Sequence, residues 1–107
     1  MSAPTSPAPV FAALGDATRW RILVRLGQRG ASASALAAEL PISRQAVVKH
    51  LEVLRAVGLV TSERRGREVV FRPLGGPLSA LGRDLQRQAA AWDRRLATLA
   101  EKAERDE

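Results

Sequence analysis

The chain has 107 residues, 46% of them hydrophobic, and a formal net charge of +6, which suits one domain with a modest core. It contains no cysteine, so disulfides and thiolate metal sites are excluded. No apolar run approaches the ~18 residues of a membrane span, and the N-terminus lacks the pattern of a signal peptide. We therefore expect a cytoplasmic protein without a membrane partner.

The positive charge is concentrated in one segment. Residues 43–73 hold seven basic and three acidic side chains, whereas residues 83–107 hold six of each. Such clustering is typical of a protein that binds a polyanion. An enzyme is disfavoured, because the chain has no Tyr, a single His, no Gly-rich phosphate loop and no carboxylate pair placed in a cleft.

The N-terminal part begins with residues 1–9, which contain three prolines and are predicted to be a disordered tail. Residues 10–107 then form one domain. A short apolar helix over residues 10–14 places Phe11 and Leu14 inward. Asp16 caps a second helix over residues 17–26, in which Trp20 belongs to the apolar side. Its exterior carries Arg19, Arg21, Arg25 and Arg29.

Two further helices follow in close succession. Ser32 or Ser34 caps a third helix that runs to Leu40, and the proline after it prevents continuation. Ser43 caps a fourth helix that ends at Gly58. Two short helices joined by a tight turn, the second with polar groups outward, are typical of a helix-turn-helix.

The fourth helix has two distinct faces. Val47, Leu51 and Leu54 recur at helical spacing and form the buried side. The opposite face, near the N-terminal end, shows Arg44, Gln45, Val48 and Lys49. Arg, Lys and Gln are side chains that contact base edges or phosphates, although an ordinary solvated surface helix has the same pattern.

After Gly58 the sequence alternates as β-strands do. Residues 59–64 and 67–73 flank Arg65 and Gly66, and glycine supplies the positive φ of a tight hairpin. Val69 and Phe71 share one face of the second strand. Basic side chains cluster at the tip, namely Arg64, Arg65 and Arg67. A basic hairpin directly after such a helix is typical of a wing that contacts the minor groove or phosphates.

Residues 78–105 are predicted to form one long helix after a Gly-Gly-Pro break. Its apolar stripe has more length than so small a domain can cover, so part of it is expected to pack against a second copy. The C-terminal end of the stripe is the favoured contact, and it contains Trp92, Leu96, Leu99 and Ala103.

Taken together, these segments resemble the ArsR/SmtB family of bacterial winged-helix regulators. The resemblance is carried by FAALGDATRWRIL at residues 11–23, LAAEL at 36–40, SRQAVVKHL at 43–51 and LRAVGLV at 54–60. It implies a mainly α winged helix (α+β), with four helices, a β-hairpin wing and a fifth helix. It also implies a homodimeric regulator, usually a repressor with activation left open, that binds an inverted repeat in double-stranded DNA and releases it when an effector binds.

The resemblance also assigns roles to residues. Recognition-helix contacts to DNA are assigned to Ser43, Arg44, Gln45, Val48 and Lys49, and wing contacts to Arg64, Arg65 and Arg67. At Val48 a small polar residue is common in the family, so this side chain either touches a thymine methyl or weakens readout. Family members dimerise through the first and last helices, which assigns Phe11, Leu14, Trp92, Leu96, Leu99 and Ala103 to the interface.

Sensing is where the chain departs from the family. Metal-responsive members have a Cys pair where this chain has Ser32 and Ser34, and hydroxyls are poor ligands for soft ions. The last helix has no His, and His50 on the fourth helix is expected to be partly buried and structural rather than a ligand or pH sensor. No cofactor is predicted. Zinc or nickel as effector stays open, without a recognisable site. A weak carboxylate site for a harder ion stays open as well, although nothing in the spacing of its candidate ligands favours it: Asp84, Asp93, Glu101 and Glu104.

One other function class stays open. In this alternative the winged helix is a protein-interaction module, and its DNA binding or effector sensing depends on a partner protein that acts as co-regulator.

Overall fold

The computed structural model of the protein describes residues 6–105. Its helices are α1 (Ala8–Leu14), α2 (Ala17–Gln28), α3 (Ala33–Glu39), α4 (Arg44–Ala56) and α5 (Gly75–Arg105). Its strands are β1 (Ala31–Ser32), β2 (Val60–Arg65) and β3 (Glu68–Pro73). The predicted order of four helices, a hairpin and a fifth helix is confirmed, as is the mainly α winged-helix class. The chain divides into two compact units after residue 77.

The predicted N-terminal tail overlaps α1. Residues 1–5 lie outside the described part of the chain, and α1 begins at Ala8, so Ala8 and Pro9 are helical. Proline is tolerated in the first turn because the N–H that it lacks has no partner there anyway. The inward-facing residue of α1 is Ala13, whereas Phe11 is 44% exposed, so the prediction that Phe11 packs inward is wrong.

The second helix differs from its prediction in which side chains it exposes. Asp16 is its N-cap, as predicted, and accepts from the backbone N–H of Arg19 at 3.0 Å. However, the helix continues to Gln28, and Trp20 is half exposed. Arg19 and Arg25, expected on the exterior, are partly buried. Both bury because their guanidinium groups find acceptors within the fold.

Those acceptors tie α2 to its neighbours. The Nε of Arg25 donates to Glu39 at 2.7 Å, and a second guanidinium nitrogen reaches the other carboxylate oxygen at 3.1 Å. The Nε of Arg19 donates to the carbonyl of Ala13 at 2.7 Å. Arg19 therefore satisfies an orphan carbonyl at the end of α1, and Arg25 links α2 to α3 by a bidentate pair.

The helix-turn-helix is formed by α3 and α4, each of which starts at a serine. Ser32, not Ser34, caps α3, and its Oγ accepts from the backbone N–H of Ala35 at 3.1 Å. Ser43 caps α4 in the same way through Ala46, also at 3.1 Å. Gly58 follows the end of α4 with φ +76°, as predicted for the left-handed residue that terminates a helix.

The wing belongs to a three-stranded antiparallel sheet in the order β1-β3-β2. In the hairpin, Arg65 pairs with Glu68, so the two-residue loop is Gly66-Arg67 rather than Arg65-Gly66. Gly66 has φ +62°, the conformation that two-residue hairpin loops require. The short strand β1, which was not predicted, pairs Ala31 with Phe71 and Ser32 with Val70. The wing is thereby joined to the start of α3.

The core of the first unit comes from α2, α3, α4 and the start of the hairpin. Each of its largest side chains is at most 2% exposed and contributes about 1.5–3 kcal/mol to folding by burial. They are Ile22, Leu26, Leu36, Val47, Leu51, Leu54, Leu59 and Val60. The three residues of α4 in this set are those predicted from its periodicity, so one side of α4 is fixed in the core and the other is left to solvent.

The helix α5 has 31 residues and begins at the Gly-Gly-Pro segment that was expected to precede it, because proline fits the first turn of a helix. Large apolar side chains lie on its surface: Trp92 is 59% exposed, Leu96 58% and Leu99 62%. Ion pairs join Arg87 with Asp84 and Arg105 with Glu101. None of the helices in residues 6–105 is long and apolar enough to cross a membrane.

Candidate nucleic-acid interface

The exposed side of α4 collects the polar residues predicted to face DNA. Arg44, Gln45 and Lys49 are exposed and Val48 is partly buried, whereas Val47 and Leu51 on the other side are inaccessible. Because the core holds the helix along its apolar side, the direction of the polar side chains is set by the fold. The hydroxyl of Ser43 caps the helix, so its first task is to position the N-terminal turn.

Arg44 is anchored to the preceding helix. Its Nε donates to the Oγ of Ser34 at 3.0 Å. Ser32 and Ser34 therefore have separate structural uses. Ser32 caps α3 and Ser34 holds Arg44 against the helix-turn-helix.

A shallow depression of about 500 Å³ lies on the exposed face of α4. It is lined by Arg44, Gln45, Val48, Lys49 and Glu52. Four of these were predicted contacts and Glu52 was not. The sequence did hold a signal for it, since Glu52 follows Gln45 by seven residues, which is close to two full helical turns.

A second concavity, a cleft of about 280 Å³, lies between the helix-turn-helix and the wing. Arg44 and Val48 line it from α4, and Arg67 lines it from the hairpin loop. Val69 and Phe71 both belong to its wall, in agreement with their predicted common face. Ser32, Ala33, Ser34 and Glu68 complete the lining. The cleft is thus lined by one arginine from α4 and one from the wing.

The three wing arginines do not act as one group. Arg67 lines the cleft, while the Nε of Arg65 lies 3.1 Å from Glu63 in an exposed ion pair. Adjacent strand residues point to opposite faces of a sheet, so Arg64 lies on the face opposite to Arg65. The ion pair offsets part of the charge of Arg65, whereas no ion pair among the described residues includes Arg64 or Arg67.

His50 packs on the side of α4 toward α2. It is partly buried, and its Nδ1 lies 3.5 Å from the Nη1 of Arg19. Arginine has only donors, so a hydrogen bond between the two side chains has Nδ1 as its acceptor. Nearby, the backbone N–H of Arg19 holds the pKa of Asp16 below its ordinary 3.8. This environment agrees with the structural role expected for His50.

The described residues offer no cluster of metal ligands. Within residues 6–105, no group of three or more His, Cys, Asp or Glu side chains comes together as a metal site would require. Asp84, Asp93, Glu101 and Glu104 therefore do not assemble into a common site in one copy of the chain.

Known proteins resemble this chain in sequence and structure. Residues 14–63 match the helix-turn-helix domain family. The HTH-type transcriptional regulator Rv2034 of Mycobacterium tuberculosis is 38% identical over 101 residues, covering 94% of this chain and 92% of that protein. An ArsR-like transcriptional regulator from Rhodococcus sp. RHA1 is 55% identical, with a TM-score of 0.77 over 86% of this chain and 87% of that one.

A more distant structure has the same fold. The homodimeric winged helix-turn-helix domain of Mb0332 from Mycobacterium bovis is 24% identical, with a TM-score of 0.65 over 84% of this chain and 91% of that one.

Proposed function

The chain belongs to the ArsR/SmtB family of winged helix-turn-helix transcriptional regulators, and we propose that it works as a homodimer that binds an inverted repeat in double-stranded DNA. In this proposal each α4 enters a major groove and each wing contacts the adjacent backbone. Base readout falls to Gln45, Val48 and Lys49. Phosphate contacts fall to Arg44 and the wing arginines.

The observation that carries this proposal is the two-sided construction of α4. Val47, Leu51 and Leu54 are buried on one side, and the other side exposes the cationic and amide donors of Arg44, Gln45 and Lys49. A helix held rigidly along one side can present the other side to a groove without losing its packing. Most of the affinity then comes from phosphate contacts, so binding should weaken steeply as salt is raised.

The dimer is proposed from the apolar surface of the chain. Trp92, Leu96 and Leu99 follow one another at helical spacing on α5, and each is more than half exposed. Ala103 continues this stripe, and Phe11 and Leu14 are the proposed contribution of α1. Exposed apolar side chains grouped on one face mark an interaction surface. The homodimeric domain of Mb0332 provides a precedent for assembly in this fold.

Repression is the proposed mode of regulation. A dimer with recognition helices about 34 Å apart covers at least one turn of promoter DNA. RNA polymerase cannot bind the DNA that the dimer covers. Activation needs the same DNA-binding surface together with a contact to polymerase. The two are separated by transcription in vitro from the bound promoter with and without the protein.

The experiment is fluorescence anisotropy on labelled duplexes from the protein's own upstream region, with scrambled duplexes of the same composition as control. A salt series and parallel samples with zinc or nickel complete the design. Binding that is stronger on upstream DNA and weakens with salt supports the proposal. A metal effect would identify zinc or nickel as effector.

Equal binding to both duplexes would mean that the surface attracts DNA only by sequence-independent electrostatics, and it would contradict the proposed operator. Absence of binding even at low salt would favour the protein-interaction module, in which a partner protein is needed.

A further inference from the structure

We propose that Glu52 is a specificity-determining residue, whose carboxylate selects a base pair that offers an amino group in the major groove, cytosine above all. This inference rests on the proposed function, since it assigns a role within the same DNA-binding surface. It adds a negatively charged reader to a surface otherwise made of cations, an amide and a valine.

The position of Glu52 on α4 is central to the recognition face. Seven residues of α-helix turn by about 700°, within 20° of two full turns. Glu52 therefore points almost in the same direction as Gln45, and about 130° around the helix from the mean direction of Leu51 and Leu54. It is exposed and lines the same depression as Gln45 and Lys49. A helix seated in a groove through Gln45 carries Glu52 in with it.

The distance along the helix fits the spacing of base pairs. Seven residues rise by about 10.5 Å, and base pairs in DNA are about 3.4 Å apart. Because a helix in the major groove is inclined to the DNA axis, Glu52 reaches a position about two to three base pairs from the one contacted by Gln45. The major groove, about 12 Å wide, accommodates both side chains.

The chemistry of a carboxylate is selective in this setting. An ionised Glu only accepts hydrogen bonds, and the major groove offers amino donors only on cytosine and adenine, of which cytosine is the usual partner of Glu. Guanine, thymine and phosphate present acceptors that repel it. Among residues 6–105 no ion pair includes Glu52, so no internal cation neutralises it. The carboxylate therefore weakens binding to every DNA sequence except those that place an amino donor opposite Glu52.

The test is selection of binding sites from randomised duplexes, run in parallel with wild type, Glu52→Gln, Glu52→Ala and Glu104→Gln. Glu104 is an exposed residue of α5, so its variant makes the same change of charge on a different helix. We expect wild type to select C·G at one symmetric position in each half-site. Both Glu52 variants should reduce that preference at least about fivefold, and Gln should shift it toward adenine, which glutamine binds in a bidentate manner.

Both Glu52 variants should also bind scrambled DNA more tightly than wild type does, because a negative charge that repels phosphates has been removed. Circular dichroism confirms that the exposed substitutions leave the helices intact. An unchanged base profile with uniformly tighter binding would overturn the proposal and reduce Glu52 to a general repulsive charge. If wild type itself selects no sequence, the proposed function fails, and this is visible before any variant is compared.

Discussion

At the scale of single residues, Gln45 differs from its neighbours on α4 because its exposed amide has no net charge. An amide gains little from a phosphate but can bind an adenine edge in a bidentate manner. Arg64, by contrast, is an exposed wing cation without an ion-pair partner among the described residues. In the proposed complex Gln45 therefore contributes to selectivity between base sequences, whereas Arg64 contributes to the affinity that is independent of sequence.

We expect Gln45→Ala to lower the ratio of operator to scrambled affinity at least about tenfold, because one base contact of about 1–3 kcal/mol is lost in each half-site. Arg64→Ala should weaken binding to both duplexes equally and reduce the salt slope by about two, because the dimer loses one phosphate contact from each protomer. Anisotropy titrations at several salt concentrations measure both quantities. If Gln45→Ala leaves the ratio unchanged, the assignment of base readout to this residue is wrong.

Two carboxyl groups of the first unit are expected to make its free energy of unfolding depend on pH in the acidic range. The backbone N–H of Arg19 lowers the pKa of Asp16 from its ordinary 3.8, and the guanidinium of Arg25 lowers the pKa of Glu39 from its ordinary 4.5. A lowered pKa in the folded state stabilises the protein above the ordinary value. That stabilisation is lost as the pH falls through the lowered pKa.

The variant Asp16→Asn keeps an efficient N-cap and removes the titration. Its free energy of unfolding should therefore fall less than that of wild type between about pH 5 and pH 2. Urea titrations at fixed protein concentration measure the difference, with Glu39→Gln as the parallel case. Identical acid profiles for Asp16→Asn and wild type would show that the Asp16 carboxylate does not contribute.

At the scale of elements, Arg19 joins three helices. Its guanidinium donates to the carbonyls of Ala12 and Ala13 at the end of α1 and approaches His50 on α4. This side chain thereby fixes the start of α2 relative to the recognition helix. Arg21, two residues later on the same helix, is exposed and provides a matched comparison.

We expect Arg19→Ala to lower the free energy of unfolding by about 2 kcal/mol, since hydrogen bonds from a charged donor are lost and carbonyls are left without partners. Arg21→Ala should stay within about 0.5 kcal/mol of wild type. Chemical denaturation of both variants at neutral pH gives the comparison. Equal effects would contradict the connecting role of Arg19.

The same scale shows what local patterns predict well. Asp16 and Ser43 each accept a bond from a backbone N–H three residues later, so the start of each helix depends on residues that are adjacent in sequence. The strand β1 was missed because two residues cannot display an alternating pattern. It forms because Gly30 lets the chain approach β3, where an added Cβ would lie 3.0 Å from Val70.

At the scale of the whole molecule, the apolar face of α5 is the feature that the proposed dimer explains. Leu96 lies on this face and is 58% exposed. Ala97, the next residue, lies about 100° around the helix from it and is also exposed. A glutamate at either position adds the same negative charge, but only the one at position 96 places that charge within the apolar face.

We expect Leu96→Glu to shift the protein toward monomers and to weaken binding to a full inverted repeat at least about tenfold, because each monomer then contacts a single half-site. Ala97→Glu should remain a dimer with nearly unchanged affinity. Sedimentation velocity over a range of concentrations measures assembly, and anisotropy measures DNA binding. A Leu96→Glu protein that sediments as wild type does would place the interface elsewhere.

The amino-acid sequence was enough to predict the order of helices and wing, the caps of α2 and α4, the buried face of α4 and the resemblance to the family. These features depend on interactions within a few residues, or on periodicity, which a linear chain displays directly. The folded chain was needed to show that Ser32 caps α3, that Arg19 and Arg25 turn inward, and that Ser34, Arg44 and Arg67 line one cleft. Periodicity indicates which side of an element is apolar, but not which distant segment supplies the acceptor or the wall that faces it. Those partners are chosen when the chain folds back on itself.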